Sequence, residues 1–207
     1  MINADSLYGI GIDPGWKNLG LGIIRKDPDG SMHFIGSETI DASSFGNVFK
    51  AAEHVRDKAW KLIVEDYNED KDNLVYEWPA TSLAMERYVS YTDVTTAEAE
   101  NILMLIGALY AVMNPLVIDE IQMYRAIDWK TELVKLLFKK RGFNNPSTKL
   151  DKKFSVAAAN ACLTDNKIGN DHEADAICLG SIRFIREEPS TRSKRTESTK
   201  GADRAGD

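Results

Sequence analysis

The chain has 207 residues, 43% of them apolar, and a net charge of −6. This is the size of one ordinary domain, with enough apolar residues for a core. Its two cysteines, Cys162 and Cys178, exclude a disulfide framework and match no zinc spacing, so a reducing, cytoplasmic setting is expected.

Residues 8–13 and 19–26 read as two apolar strands joined by a turn at Pro14-Gly15, and 31–40 as a third strand after the turn formers Asp27-Pro28-Asp29-Gly30. Links this short require antiparallel pairing. Apolar spacing at Val48, Ala51, Ala52, Val55, Ala59, Leu62 and Ile63 predicts a helix. Residues 83–89 read as a fourth strand, with Ala84, Glu86 and Tyr88 on one face and Leu83, Met85, Arg87 and Val89 on the other. Thr95 and Glu98 form a capping box that opens an apolar helix over 97–113, and Pro115 ends it before a fifth strand at 116–121. The longest apolar run, 102–113, is 12 residues long. A bilayer crossing needs roughly 18 or more, and no signal-peptide pattern opens the chain, so a soluble protein without membrane contact is expected.

Helices follow at 130–141, 151–163 and 171–186, and 187–207 lacks apolar periodicity and is expected to be a disordered tail. Residues 125–153 carry nine Lys/Arg against three Asp/Glu on an otherwise acidic chain. Such a segment is a footprint for a polyanion or, more plainly, a solvated helix face. Antiparallel strands followed by strand–helix–strand units predict an α/β fold, a five-stranded mixed sheet with helices on both faces, in residues 1–186. That topology gathers the ends of strands one, four and five.

Asp13 ends the first strand, Glu86 lies in the fourth, and the last helix opens with Asp171, His172 and Asp175, the last sharing a face with both others. Each has a plain reading: Asp13 as a turn former, Glu86 as a partner of Arg87, Asp171 as a helix cap, Asp175 as a partner of a lysine. Acids in apolar surroundings are nonetheless costly to bury unpaired. Crowded carboxylates repel one another, and a hard cation such as Mg2+, or Mn2+ in its place, removes the repulsion. Two such ions suit in-line displacement at a phosphodiester.

GIDPG with a Gly-rich second strand, an apolar strand carrying Glu, and a late D/H-x-x-D-A helix resemble the RuvC-type Holliday junction resolvases of the RNase H-like nuclease and integrase superfamily. The resemblance runs from about Tyr8 to Arg186. It implies an RNase H-like fold, a catalytic and metal-binding set of Asp13, Glu86, His172 and Asp175 (Asp171 as alternative to His172), and two Mg2+ ions per site. It further implies a homodimer that resolves four-way junctions by paired cuts, leaving 5′-phosphate and 3′-hydroxyl ends. Lys130 in IDWKTELVK and Lys152 or Lys153 in DKKFSV would contact DNA, joined by Lys135 and Lys149. The helix 97–113 resembles the family's helix after the Glu strand, with Gly107 where close packing is wanted. Apolar around most of its circumference, it is the candidate dimer interface or, more plainly, a core helix. The long link KLLFKKRGFNNPSTKL resembles phage-encoded members, which would work in a host cell's cytoplasm.

Two features depart from the family pattern. Family members often have Asp where His172 stands, although His also occurs there. Where they place an aromatic wedge, three residues past Glu86, this chain has Val89; Tyr88, Tyr91 or Trp16 could serve instead. Looser flap or fork cleavage, and action on RNA–DNA hybrids or structured RNA, are the neighbouring alternatives. An actin-like kinase or ATPase is disfavoured because no second phosphate-binding Asp-Gly-Gly element is present.

Overall fold

The structure, a computed structural model, describes residues 5–68, 79–88, 96–116, 120–145, 149–163 and 167–188. Strands β1 (Leu7–Asp13), β2 (Leu19–Lys26) and β3 (Met32–Ile40) form the expected antiparallel meander. β4 (Ala80–Glu86) and β5 (Glu120–Tyr124) add in parallel on the other side of β1, giving the order β3-β2-β1-β4-β5. Helices α1 (Val48–Asn68) and α2 (Thr96–Met113) cover one face, and α3 (Ala126–Arg141), α4 (Lys152–Ala158) and α5 (Asp171–Glu187) the other.

The two faces of β1 explain this arrangement. Tyr8, Ile10 and Ile12 point one way and, with Leu19, Leu21 and Ile23, pack under Ala51, Ala52, Val55 and Ala59 of α1 and Leu105 and Leu109 of α2. The alternate positions, Gly9, Gly11 and Asp13, point the other way. A Cβ added at Gly11 would stand 1.8 Å from the Ala176 carbonyl oxygen of α5, and one at Gly20 would stand 2.1 Å from that of His172. Only residues without a Cβ let the α5 backbone lie this close to the sheet. Gly11 pairs with Gly22 and Asp13 with Gly20, so the glycine floor is two strands wide and ends at Asp13.

Several element boundaries move from expectation. β4 ends at Glu86, so Glu86 is a strand-end residue, and the pleat does not continue to Tyr88. Tyr88 packs against the α1–α2 core, on the side opposite the one its spacing from Glu86 suggests. Residues 114–116 form a 3-10 turn after α2, and the fifth strand is described only from Glu120, with 117–119 outside the described residues. Asn170, not Asp171, caps α5, its side chain accepting from the backbone N–H groups of His172 and Glu173. α4 stops at Ala158 and continues as a wider turn, where Asn160 bonds both the N–H and the carbonyl of Ile168. Val89, Tyr91, Thr95 and the tail from residue 189 onward lie outside the described residues.

α2 is 18 residues long and apolar enough by length and composition to cross a membrane, a test that core helices of soluble proteins also pass. Here Ile102, Leu105, Ile106, Ala108, Leu109 and Met113 are buried in the core. Leu103, Met104 and Tyr110 face outward. Among the described residues nothing lies within 4 Å of a Cβ added at Gly107, so the close packing expected there is not made within this chain.

Candidate active site

Parallel strands β1 and β4 end side by side, and their last residues are Asp13 and Glu86. Crevices beyond the carboxyl ends of such strands are where open α/β sheets place their sites. The glycine floor brings the first turn of α5 to the same place, and with it His172 and Asp175. The start of α3 closes the crevice with Trp129 and Lys130, both buried.

Each of the three acids has one oxygen tied to a different donor. His172 Nδ1 is 2.8 Å from Asp13 Oδ2. Trp129 Nε1 donates to Glu86 Oε2 at 2.9 Å. Lys130 Nζ donates to Asp175 Oδ2 at 3.0 Å. Among the described residues none hydrogen-bonds the second oxygen of any of the three. Asp175 Oδ1 is buried without a partner, as is the hydroxyl of Ser155 on α4. That hydroxyl is near enough to help steady the Asp175 charge, although neither atom completes a hydrogen bond.

The charges of the site act on one another. Burial, then Asp13 and Asp175, push Glu86 up to about 7, against which the Trp129 N–H works. Asp175 is raised by burial and by Asp13, with Lys130 opposing. Burial works against the Lys130 ammonium, yet Asp175, Glu86 and Asp13 together hold its pKa above the ordinary lysine value. His172 is raised chiefly by its bond to Asp13. Since a carboxylate only accepts, that bond places a proton on Nδ1, so in the neutral ring Nε2 is the acceptor nitrogen.

The donor set bears on whether a divalent cation fits. The described residues contain no preassembled group of three or more His, Cys, Asp or Glu at metal-holding distances. Three hard carboxylates with one unbonded oxygen each, one of them a buried orphan, are nevertheless the donors a Mg2+-like ion takes. By their chemistry the residues fit such an ion, although the described side chains are not gathered into a metal-holding group.

The sequence-predicted residues divide into groups. Asp13, Glu86, His172 and Asp175 come together. Asp171 turns away to pair with Lys152, which lowers its pKa. Lys130, expected on DNA, is buried against Asp175, and Lys140 of the same basic segment is buried as well. Lys135, Lys149, Lys152 and Lys153 are exposed. Tyr88 and Trp16 are partly buried against the core, not free aromatic tips. Trp129 and Ser155 are additions from the structure: a tryptophan or a serine within an apolar helical pattern carries no mark of the carboxylate it meets. The one signal is that Trp129 precedes Lys130, a candidate DNA contact.

No protein-family model and no curated protein matches the sequence. Solved structures do match the fold. Thermus thermophilus RuvC in complex with a Holliday junction substrate is 15% identical with a TM-score of 0.57, over 87% of this chain and 93% of that one. Another T. thermophilus RuvC structure gives 14% and 0.54, over 87% and 93%. The yeast mitochondrial Holliday junction resolvase Ydc2 gives 13% and 0.51, over 97% of this chain and 85% of that one. At these identities the likeness is one of fold: the chain has the five-stranded RNase H-like fold of these structures.

Proposed function

We propose that this chain is a divalent-metal-dependent endonuclease that acts on branched DNA, chiefly four-way junctions, and cuts as a homodimer. The observation that carries the reading is the convergence of Asp13, Glu86, Asp175 and His172 at the ends of β1 and β4, each acid with one oxygen unbonded among the described residues. The fold shared with RuvC, in one case solved with a Holliday junction substrate, supports the choice of DNA and of junctions.

Asp13, Glu86 and Asp175 would hold the metal, with His172 beside them. What one or two Mg2+ ions supply there is charge neutralisation and a more acidic water nucleophile. The protein's own part is positional. The glycine floor fixes Asp175 and His172 against Asp13. Lys130 opposes the burial that raises Asp175 and offers a cation at the crevice where a phosphate would sit. His172, oriented through Nδ1, presents Nε2 as a proton acceptor toward water. Exposed Lys152 and Lys153 open α4 beside Asp171, at the edge of the site, where they can meet backbone phosphates without reading bases. Leu103, Met104 and Tyr110 on α2 give an outward apolar strip suited to a second copy, and paired cuts across a two-fold junction call for two sites.

The test is cleavage of end-labelled four-way junction, flap, fork and RNA–DNA hybrid substrates of matched arms, in Mg2+ and in EDTA. The proposal expects Mg2+-dependent cutting fastest on the junction. Equal or faster cutting of flaps, or of the hybrid, would replace the junction reading with that substrate.

A further inference from the structure

We propose that Trp129 is a positioning residue for Glu86. Its indole N–H fixes one carboxylate oxygen and so decides which oxygen stays free for a cation. The inference rests on the site reading given above and adds a residue to it.

Trp129 is fully buried, among Leu133, Leu137 and Phe154 in the core between α3, α4 and α5. With no exposed surface, the ring has little room for another rotamer. Its single polar atom donates and cannot accept. That atom sits 2.9 Å from Glu86 Oε2, an ordinary N–H···O length. Apolar volume alone would be filled by Phe or Leu, whereas a buried N–H without its partner would cost stability.

The backbone of Glu86 is fixed independently. It pairs with Tyr124 of β5, and Arg87 N–H continues the ladder by donating to the Tyr124 carbonyl at 2.7 Å. Only the side-chain torsions of Glu86 remain to be set, and Trp129 sets them. The donor is also neutral. Lys130, the next residue, secures Asp175 by bringing a charge into the site. Trp129 secures Glu86 without adding one that a metal ion would have to oppose. The start of α3 thus holds two of the three acids, by two different means.

The experiment uses the full chain with Trp129 replaced by benzothienylalanine, which keeps the ring shape and lacks the N–H, alongside W129F and E86Q. Mn2+ affinity is measured by calorimetry, and cleavage of a four-way junction is measured at saturating DNA. Loss of a partner that orients a metal ligand weakens metal binding or activity by roughly 10- to 100-fold. The isostere should therefore bind Mn2+ about tenfold more weakly and lower kcat similarly, with KM for DNA unchanged. Placed in an E86Q background, it should add no further loss of Mn2+ affinity.

Mn2+ affinity within twofold of wild type, with a normal kcat, would overturn the role of Trp129 while an impaired E86Q leaves the site standing. An equal loss in wild-type and E86Q backgrounds would also overturn it, since the effect would not pass through Glu86. Normal Mn2+ binding and cleavage by E86Q itself would overturn the site reading and this inference together.

Discussion

Glu86 is the residue whose burial is most consequential. Its pKa of about 7 against an ordinary 4.5 means that the folded protein keeps this proton where the unfolded chain has lost it. The cost of ionising Glu86 is absent below about pH 4.5, grows up to about 7, and is constant above. With one pKa unit worth ~1.4 kcal/mol, that cost reaches at most about 3 kcal/mol. Glu86→Gln should accordingly raise the melting temperature relative to wild type at pH 8, in EDTA, and change it little at pH 4. Equal effects at both values would mean that Glu86 is not held protonated. His172 and Asp171 can be separated in the same way. His172 reaches Asp13 whereas Asp171 reaches Lys152, so His172→Ala should slow cleavage on the order of 10^2-fold and Asp171→Asn only a few-fold. His172 is raised above 6.5 and serves as acceptor only when neutral, so the wild-type rate should climb with pH through a midpoint above that value. This limb should be missing from the His172→Ala profile. A larger loss in Asp171→Asn would reverse the assignment.

At the scale of elements, the site depends on how closely α5 approaches β1 and β2. Backbone lies against backbone at Gly11, so no side-chain rotation can make room for a methyl group. Gly11→Ala should displace α5 and cost at least about 3 kcal/mol, toward the upper end of overpacking penalties, read as a drop in thermal stability with loss of cleavage. A wild-type melting temperature would show that the α5 backbone stands farther from β1 than described. The five-stranded mixed sheet with helices on both faces could be read in the sequence, and acids among apolar residues singled out Asp13, Glu86 and Asp175 as site candidates. Period-2 spacing, Gly/Pro turns and acids among apolar residues are local signals, and short connections restrict topology. What escaped was long-range. Nothing near Trp129 tells that it meets Glu86, 43 positions earlier. Glycines in β1 read as small apolar residues until α5 is laid on them. The strand-end position of Glu86 and the reversed side of Tyr88 escaped because a pleat pattern does not announce where it stops.

For the whole molecule, the basic segment proves less uniform than its composition suggests. Lys130 and Lys140 serve the interior, Arg125 pairs with Asp128, and Arg141 with Glu188. The exposed remainder near the crevice is led by Lys152 and Lys153. Neutralising both to Ala should weaken junction binding and reduce the steepness of log K against log salt by about one for each phosphate left without its lysine. Unchanged binding across salt concentrations would place the DNA elsewhere. The central claim is that Asp13, Glu86, Asp175 and His172 form a nuclease site at the ends of β1 and β4. Its most direct measurement is a single-turnover assay on a labelled four-way junction with wild type and Asp13→Asn, binding followed in parallel by gel shift. The account predicts Mg2+-dependent cutting by wild type and a rate lower by a factor on the order of 10^3 or more in Asp13→Asn, with binding retained. Full-rate cutting by Asp13→Asn would contradict it.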